Sequence, residues 1–282
     1  MVFGRSVMPL PKLEVGAISI VPLSDGSGNP APTDVMPTVP AEAWSAYREY
    51  LDDDGNLPLN LGSYLIREDG VWTLIDTGYG TWPDTGGGAL LNELAKAQVH
   101  PDEIRRVILT HLHGDHFGGS TIDADGVPVP TFKNARYVVQ RADWAHFQQP
   151  EIKDAVPLVG RCADPIEAAG LLDLLDGGQS ISAGISTILT PGHTPGHQSV
   201  LIASGGEKAI VLGDVSHTPV QIAEPDWSPH FDLDAEQSSK TRRAVFDRIE
   251  EEGLTIAAGH YPFPGLGGIV RVEGKRRWRA LS

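Results

Sequence analysis

Thr110-His111-Leu112-His113-Gly114-Asp115-His116 is the stretch on which the reading of this chain turns. Three imidazoles and a carboxylate follow directly on residues 106–110 (RVILT), which have the pattern of a short buried strand. Imidazole nitrogen and carboxylate oxygen are the ligands that suit zinc and its first-row neighbours. His111 and His113 alternate, so extended backbone points both to one side. Gly114 lets the chain turn, and Asp115 and His116 can then face a second ion. The other reading is a polar, solvated loop, which has little use for so many imidazoles.

Outward from this run, histidines and acids recur at the ends of apolar segments. Residues 71–76 pair with 63–67 as a hairpin and finish in Asp76-Thr77-Gly78. Thr190-Pro191-Gly192-His193-Thr194-Pro195-Gly196-His197 follows the strand pattern at 185–189. Leu212-Gly213-Asp214 closes another at 209–212, and Gly259-His260 closes the one at 254–258. Each is weak alone, but strand ends are where ligands from distant segments can gather on one rim. Helical spacing appears at 89–97, around Trp144 and Phe147, and over 235–252. Two strand series with helices between them predict two facing sheets with helices outside, an α/β sandwich. Residues 1–60 read as a Pro/Gly-rich N-terminal arm with one strand at 16–23, a loop at 24–40 and a short helix at 40–51. Residues 61–282 read as one domain. The arm is expected either to pack on its own domain or to cross a homodimer interface.

Composition narrows the function. The 282 residues are 40% hydrophobic and 21% charged, with a net charge of −15. That charge disfavours nucleic acid, whose phosphates need a basic footprint, and it disfavours anionic membranes. The single cysteine, Cys162, excludes a disulfide framework and a cysteine-rich zinc site. No stretch approaches the ~20 apolar residues of a membrane span. Gly4, Pro9, Pro11 and Lys12 interrupt any leader-like apolar run. A soluble, cytoplasmic protein is expected. Neither a phosphate loop nor a G-x-S-x-G elbow is present.

The H-x-H-x-D-H run, the upstream Asp-Thr-Gly, and the motifs PGHTPGH, LGDVS and AAGHYPFPG together resemble the metallo-β-lactamase-fold hydrolases. The resemblance covers about residues 60 to 282 and implies an αβ/βα sandwich with its site at one edge. It implies that His111, His113 and His193 hold one divalent ion, that Asp115, His116 and His260 hold a second, and that Asp214 bridges them. Zinc is the expected metal, with manganese, cobalt or iron as substitutes. Asp76 would steady a ligand imidazole, and His197 would be structural. The β-lactamase branch with a cysteine ligand and the di-iron branch with a glutamate at the position of His113 both depart from this chain. Residues 213–217 and 259–267 resemble the quorum-quenching lactonase and methyl-parathion-hydrolase-like subgroup. Its members cleave N-acyl-homoserine lactones, other esters or phosphotriesters. Where one lactonase subset has a tyrosine, this chain has His217, which either donates a hydrogen bond to substrate or packs.

The expected chemistry is attack on a lactone or ester carbonyl by a hydroxide shared between two metals. Asp115 would carry a proton to the leaving group. Phosphotriester cleavage is an expected side activity. Main activity on an organophosphate, or on a thioester as in glyoxalase II, is the alternative. The substrate would be small and uncharged, facing aromatic residues drawn from Trp82, Phe117, Trp144, Phe147, Trp227, Phe231 and Phe263, each of which has core packing as its other reading.

Overall fold

The computed structural model describes residues 10–81 and 87–281. In one mixed sheet, β1 (Leu13–Val15), β2 (Ile18–Gly28), β3 (Leu59–Glu68), β4 (Val71–Ile75) and β5 (Ile104–Ile108) lie side by side in chain order. The chain then leaves it for a separate hairpin, β6 (Thr121–Ala124) and β7 (Val127–Pro130). It returns as β8 (Arg136–Gln140) and β9 (Leu172–Leu175). The other sheet runs β10 (Ile185–Leu189), β11 (Gln198–Ser204), β12 (Glu207–Val211), β13 (Thr255–Ala257), β14 (Leu266–Val272) and β15 (Lys275–Ala280).

Side-chain alternation builds the layers. Leu65, Leu74, Val107 and Val139 face outward, onto Leu94, Val159 and Ile166 of the covering helices. Their neighbours Ile66, Ile75, Ile108 and Val138 face inward, onto Val200, Ile202 and Val211 of the second sheet. Ile210 and Ile256 on its far side meet Val245, Phe246 and Ile249. Helix, sheet, sheet and helix therefore stack in the expected αβ/βα order.

The parallel pairs fix the site. β4 with β5, and β12 with β13, are parallel and joined through helices, Leu90–Lys96 and Ala235–Glu252 respectively. The longer helix begins at Asp234, whose side chain accepts from Gln237 N at 2.9 Å, and ends at Gly253 in the left-handed region. Asp76, the 110–116 run, Asp214 and His260 all follow the C-terminal ends of these strands.

Within residues 1–60, β1 and β2 are integral to the first sheet, and β2 runs on to Gly28 where a loop was expected. A register shift between Ser24 and Gly26 lets the Gly/Ser-rich end keep pairing with β3. Residues 41–50 form a 3₁₀ segment kinked at Tyr47. Val35, Met36, Trp44, Tyr47 and Leu57 bury themselves against Val220, Trp227 and Phe231 of the same chain. The helix Pro157–Ala168 was missed because Pro165 sits inside it. Proline there gives no N–H to the Arg161 carbonyl, and Thr121 Oγ1 donates to that oxygen instead, at 3.3 Å. Among the described residues no helix is long and apolar enough to cross a membrane.

Candidate metal centre

The 110–116 run leaves β5 with Leu112 buried in the core, which turns His111 and His113 together to the other side. The short helix Gly114–Phe117 then presents Asp115 and His116. Across the rim, Gly213 adopts φ 58°, and a Cβ there would lie 2.6 Å from His197 Nε2 and 2.8 Å from Thr110 Cβ. Only glycine fits, and it delivers Asp214 to the centre. His197 is buried and accepts the Asp214 N–H at 2.8 Å.

Two groups of ligand atoms converge. His111 Nε2, His113 Nδ1 and His193 Nε2 form a triangle with edges of 3.1, 2.8 and 3.2 Å. His116 Nε2 and His260 Nε2 lie 3.2 Å apart, with Asp115 Oδ2 at 3.6 and 3.5 Å from them. Asp214 stands between the groups. Its Oδ2 is 3.1 Å from His193 Nε2 and 3.6 Å from His111 Nε2, and its Oδ1 is 3.2 Å from both His116 and His260.

Protons alone satisfy this arrangement poorly. A neutral imidazole has one N–H, so three ring nitrogens facing one point cannot all donate to one another. Asp214 Oδ1 is buried and takes no hydrogen bond, although two nitrogens stand 3.2 Å away out of alignment. A tetrahedral zinc ion with bonds of about 2.0–2.1 Å would need ligand nitrogens roughly 3.3 Å apart. The observed triangle is close to that. The donor set fits a dinuclear metal site.

Electrostatics agree. Burial and the neighbouring His116 hold His111 well below the usual imidazole range, and burial with His193 takes His113 down to about 3. Both rings are therefore neutral at pH 7, the form in which imidazole binds a metal. Burial opposes charge on His193 as well, but Asp214 and Asp232 outweigh it and raise that ring to about 9. Asp214 outweighs burial at His116 and His260 in the same way. Burial opposes ionisation of Asp214, yet His116 and His260 keep it well below the carboxylate range. The carboxylates call for positive charge in this space, as protons or as cations.

The nitrogens turned away from the centre are also held. His116 Nδ1 donates to Asp76 Oδ2 at 2.8 Å, and Asp76 also accepts from Thr110 N and Oγ1 at 2.7 and 2.8 Å. His260 Nδ1 donates to Asn60 O at 2.9 Å and His193 Nδ1 to Asp232 Oδ1 at 2.9 Å. Such partners fix tautomer and ring orientation. Asp232 and Asp143 were not anticipated. They are isolated acids in the sequence, and only the fold brings them here. Asp143 is buried and accepts from Leu112 N and Gly196 N, both at 2.9 Å, tying the two histidine loops together. Asp143→Ala strands two buried N–H groups at about 1–3 kcal/mol each. A melting temperature lowered by several degrees in a thermal scan is the expected result.

Residues 62–260 match the Metallo-beta-lactamase superfamily. The chain belongs to this superfamily. An N-acyl homoserine lactonase of Bacillus cereus is 25% identical over 171 residues, 59% of this chain and 60% of that protein. The chain thus spans about three fifths of the length of such relatives. The crystal structure of hydrolase AbOPH superposes over 99% of both chains with a TM-score of 0.86 and 27% identity. AidC, a dizinc quorum-quenching lactonase with a product bound, shares the fold at a TM-score of 0.85 over 96% of this chain and 97% of its own, with 23% identity.

In this superfamily member a cavity of about 550 Å³ opens over the centre. His113, Asp115, His193, Asp214, His217 and His260 form its floor. Its wall differs from the expected one. Phe231 lines it, joined by Ser27, Gly28, Pro30, Leu59, Leu61 and Tyr79, which sequence reasoning missed. Phe117, Trp144 and Phe147 are buried in the core beneath the first sheet's helices, with Phe147 edge-on to His113 at 5.6 Å. Trp227 packs on Trp44 and Tyr47, and Phe263 is 44% exposed and not part of the cavity lining. Trp82 lies outside the described residues. Aromatic residues near a motif can face either way from a loop, so one-dimensional proximity did not separate wall from core.

His217 stacks on His260 at 5.2 Å and directs Nε2 to Asp214 Oδ2 at 3.0 Å. Burial takes it down to about 4 despite Asp214, so the ring is neutral. The carboxylate claims its one N–H, which leaves Nδ1 as a buried, unpartnered acceptor. In this tautomer its N–H is directed at Asp214.

Proposed function

We propose that this chain is a dinuclear metal-dependent hydrolase that opens uncharged lactones of the N-acyl-homoserine type. The observation that carries this reading is the pair of nitrogen groups sharing one carboxylate beneath a cavity. His111, His113 and His193 would hold one ion, Asp115, His116 and His260 the other, and Asp214 both. A bound pair of divalent cations supplies Lewis acidity toward a carbonyl and a nucleophile available near neutral pH.

The chain's own residues do the rest. Pro30, Leu59, Leu61 and Phe231 give the acyl chain an apolar wall. Asp115 has a side chain 19% exposed against 3% for Asp214, so it is the acid a substrate can reach. At that position it can accept a proton and return it to the departing alkoxide. The net charge of −15 repels polyanionic substrates. The relatives named as lactonases support a lactone over other esters. A thioesterase that grips an anionic thiol carrier is less well supported. Arg276 is committed to Glu250 and Asp247, and Arg271 to Glu250.

Zinc is the metal we favour for this nitrogen and oxygen set. Dialysis against a chelator should abolish turnover, and about two equivalents of Zn²⁺ per chain should restore it, read by elemental analysis and a lactone assay. In a panel of acyl-homoserine lactones, simple lactones, aryl esters, thioesters and an aryl phosphotriester, acyl lactones are expected to give the highest kcat/KM. Chelator-resistant turnover, or thioesters alone as substrates, would overturn the reading.

A further inference from the structure

Tyr79 is held more tightly than a loop residue needs to be. Its N–H donates to the buried carboxylate of Asp25 at 2.9 Å, and the same carboxylate accepts Leu90 N at 2.8 Å. One acid from β2 thereby ties both ends of the loop that follows β4. On the other side Tyr79 lies against Gly118, where a Cβ would stand 2.2 Å from the Tyr79 carbonyl oxygen. Its ring covers Gly114, where a Cβ would stand 3.2 Å from a ring carbon. The ring is thus fixed beside Asp115 at the cavity wall.

The phenol end is different. Tyr47 donates to Glu224, Tyr137 to Ser120 O, and Tyr261 shares a hydrogen bond with Ser216. Among the described residues no protein atom accepts a hydrogen bond from the Tyr79 hydroxyl. A phenol is a donor at neutral pH and needs a partner once a substrate displaces water. Elsewhere in the lining Pro30, Leu59, Leu61 and Phe231 are apolar and suit the acyl chain. An acyl chain on those residues leaves the polar, reacting end of a substrate for the polar part of the lining, where Asp115 and Tyr79 stand.

We propose that the Tyr79 hydroxyl donates a hydrogen bond to the alcohol oxygen that leaves when the lactone opens, beside the Asp115 that protonates it. This rests on the lactonase reading. No bond to Tyr79 forms or breaks. The phenol keeps its proton and stabilises charge developing on the departing oxygen.

The ring-opened product carries that oxygen as a free hydroxyl, so binding tests the contact without turnover. By calorimetry on metal-loaded protein, N-hexanoyl-homoserine should bind wild type roughly 3- to 10-fold more tightly than N-hexanoyl-2-aminobutyrate, which lacks the hydroxyl. Tyr79→Phe should erase that difference. Kinetically, Tyr79→Phe should lower kcat on an alkyl lactone by about 10- to 100-fold with KM little changed. A nitrophenyl ester, whose leaving group needs no help, should lose far less. Tyr79→Met, which also lacks the hydroxyl, should give the same substrate order, and both variants should keep wild-type metal content. Equal losses on both substrates, a loss confined to KM, or a preserved preference for the hydroxylated product would overturn the proposal. If wild type opens no lactone, the lactonase reading fails and this contact with it. If wild type is active and the variants show no such order, the Tyr79 contact alone fails.

Discussion

Asp214→Asn is expected to leave the purified chain short of its two ions and to lower lactone hydrolysis by on the order of 10³-fold or more. Both oxygens of Asp214 face candidate ligand nitrogens, one 3.1 Å from His193 and the other 3.2 Å from His116 and His260. An amide keeps one acceptor and turns an NH₂ toward nitrogens that are meant to offer lone pairs. It also removes the negative charge that raises His116, His193 and His260. Lewis-acid stabilisation worth several kcal/mol then disappears, and each 1.36 kcal/mol is tenfold in rate. Elemental analysis and steady-state kinetics on the same preparation check this. A variant holding two ions and turning over at the wild-type rate would remove Asp214 from the centre. The fold itself is expected to persist, because Gly213 and the His197 contact to the Asp214 N–H do not depend on the carboxylate.

The second large effect is on stability. Arg242 is fully buried and donates to Val215 O at 2.7 Å, Pro225 O at 2.6 Å, Ser238 Oγ at 3.0 Å and Asp232 Oδ2 at 3.2 Å. Asp232 in turn holds His193. Arg242→Ala leaves one oxygen of the buried Asp232 carboxylate without its cation, with His193 as the remaining partner, and strips several buried carbonyls of their donor. Breaking a buried pair in this way costs about 3–5 kcal/mol, a drop in melting temperature on the order of 10 °C. Asp232 orients His193 through its outer nitrogen, and because an amide oxygen still accepts from Arg242, Asp232→Asn should cost less stability than Arg242→Ala although it removes the buried guanidinium's counter-ion. It should nonetheless weaken metal binding at the first group of ligands by roughly 10- to 100-fold. Thermal melts and competition with a chelator separate the two effects. Equal melting temperatures for wild type and Arg242→Ala would contradict the account of this network.

The layered architecture and the convergence of the 110–116 run with His193, Asp214 and His260 were legible from the sequence, for a physical reason. Metal ligands must be polar, short-range and convergent, and strand ends gather residues far apart in the chain. They therefore stand out as histidines and acids directly after apolar runs. What supports them does not stand out. Asp25, Asp143 and Asp232 are single acids whose importance lies in the backbone N–H or imidazole they meet after folding. The hairpin β6–β7 and the short β9 escaped notice because four-residue strands carry too few alternations to be read. Pro165 hid a helix in which Thr121 donates to the carbonyl that the proline leaves without its N–H. The cavity wall escaped for another reason. Leu59 and Leu61 look like any strand residues, and which face of β3 overlooks the site is a matter of sheet order.

Anomalous diffraction at the zinc absorption edge, from crystals grown with Zn²⁺, puts the central idea to its most direct test. Two peaks roughly 3.5–4 Å apart are expected. One should sit among His111, His113 and His193, the other among Asp115, His116 and His260, with Asp214 reaching both. A map with no peak there, or with these side chains turned from a common point while zinc binds elsewhere, would contradict it.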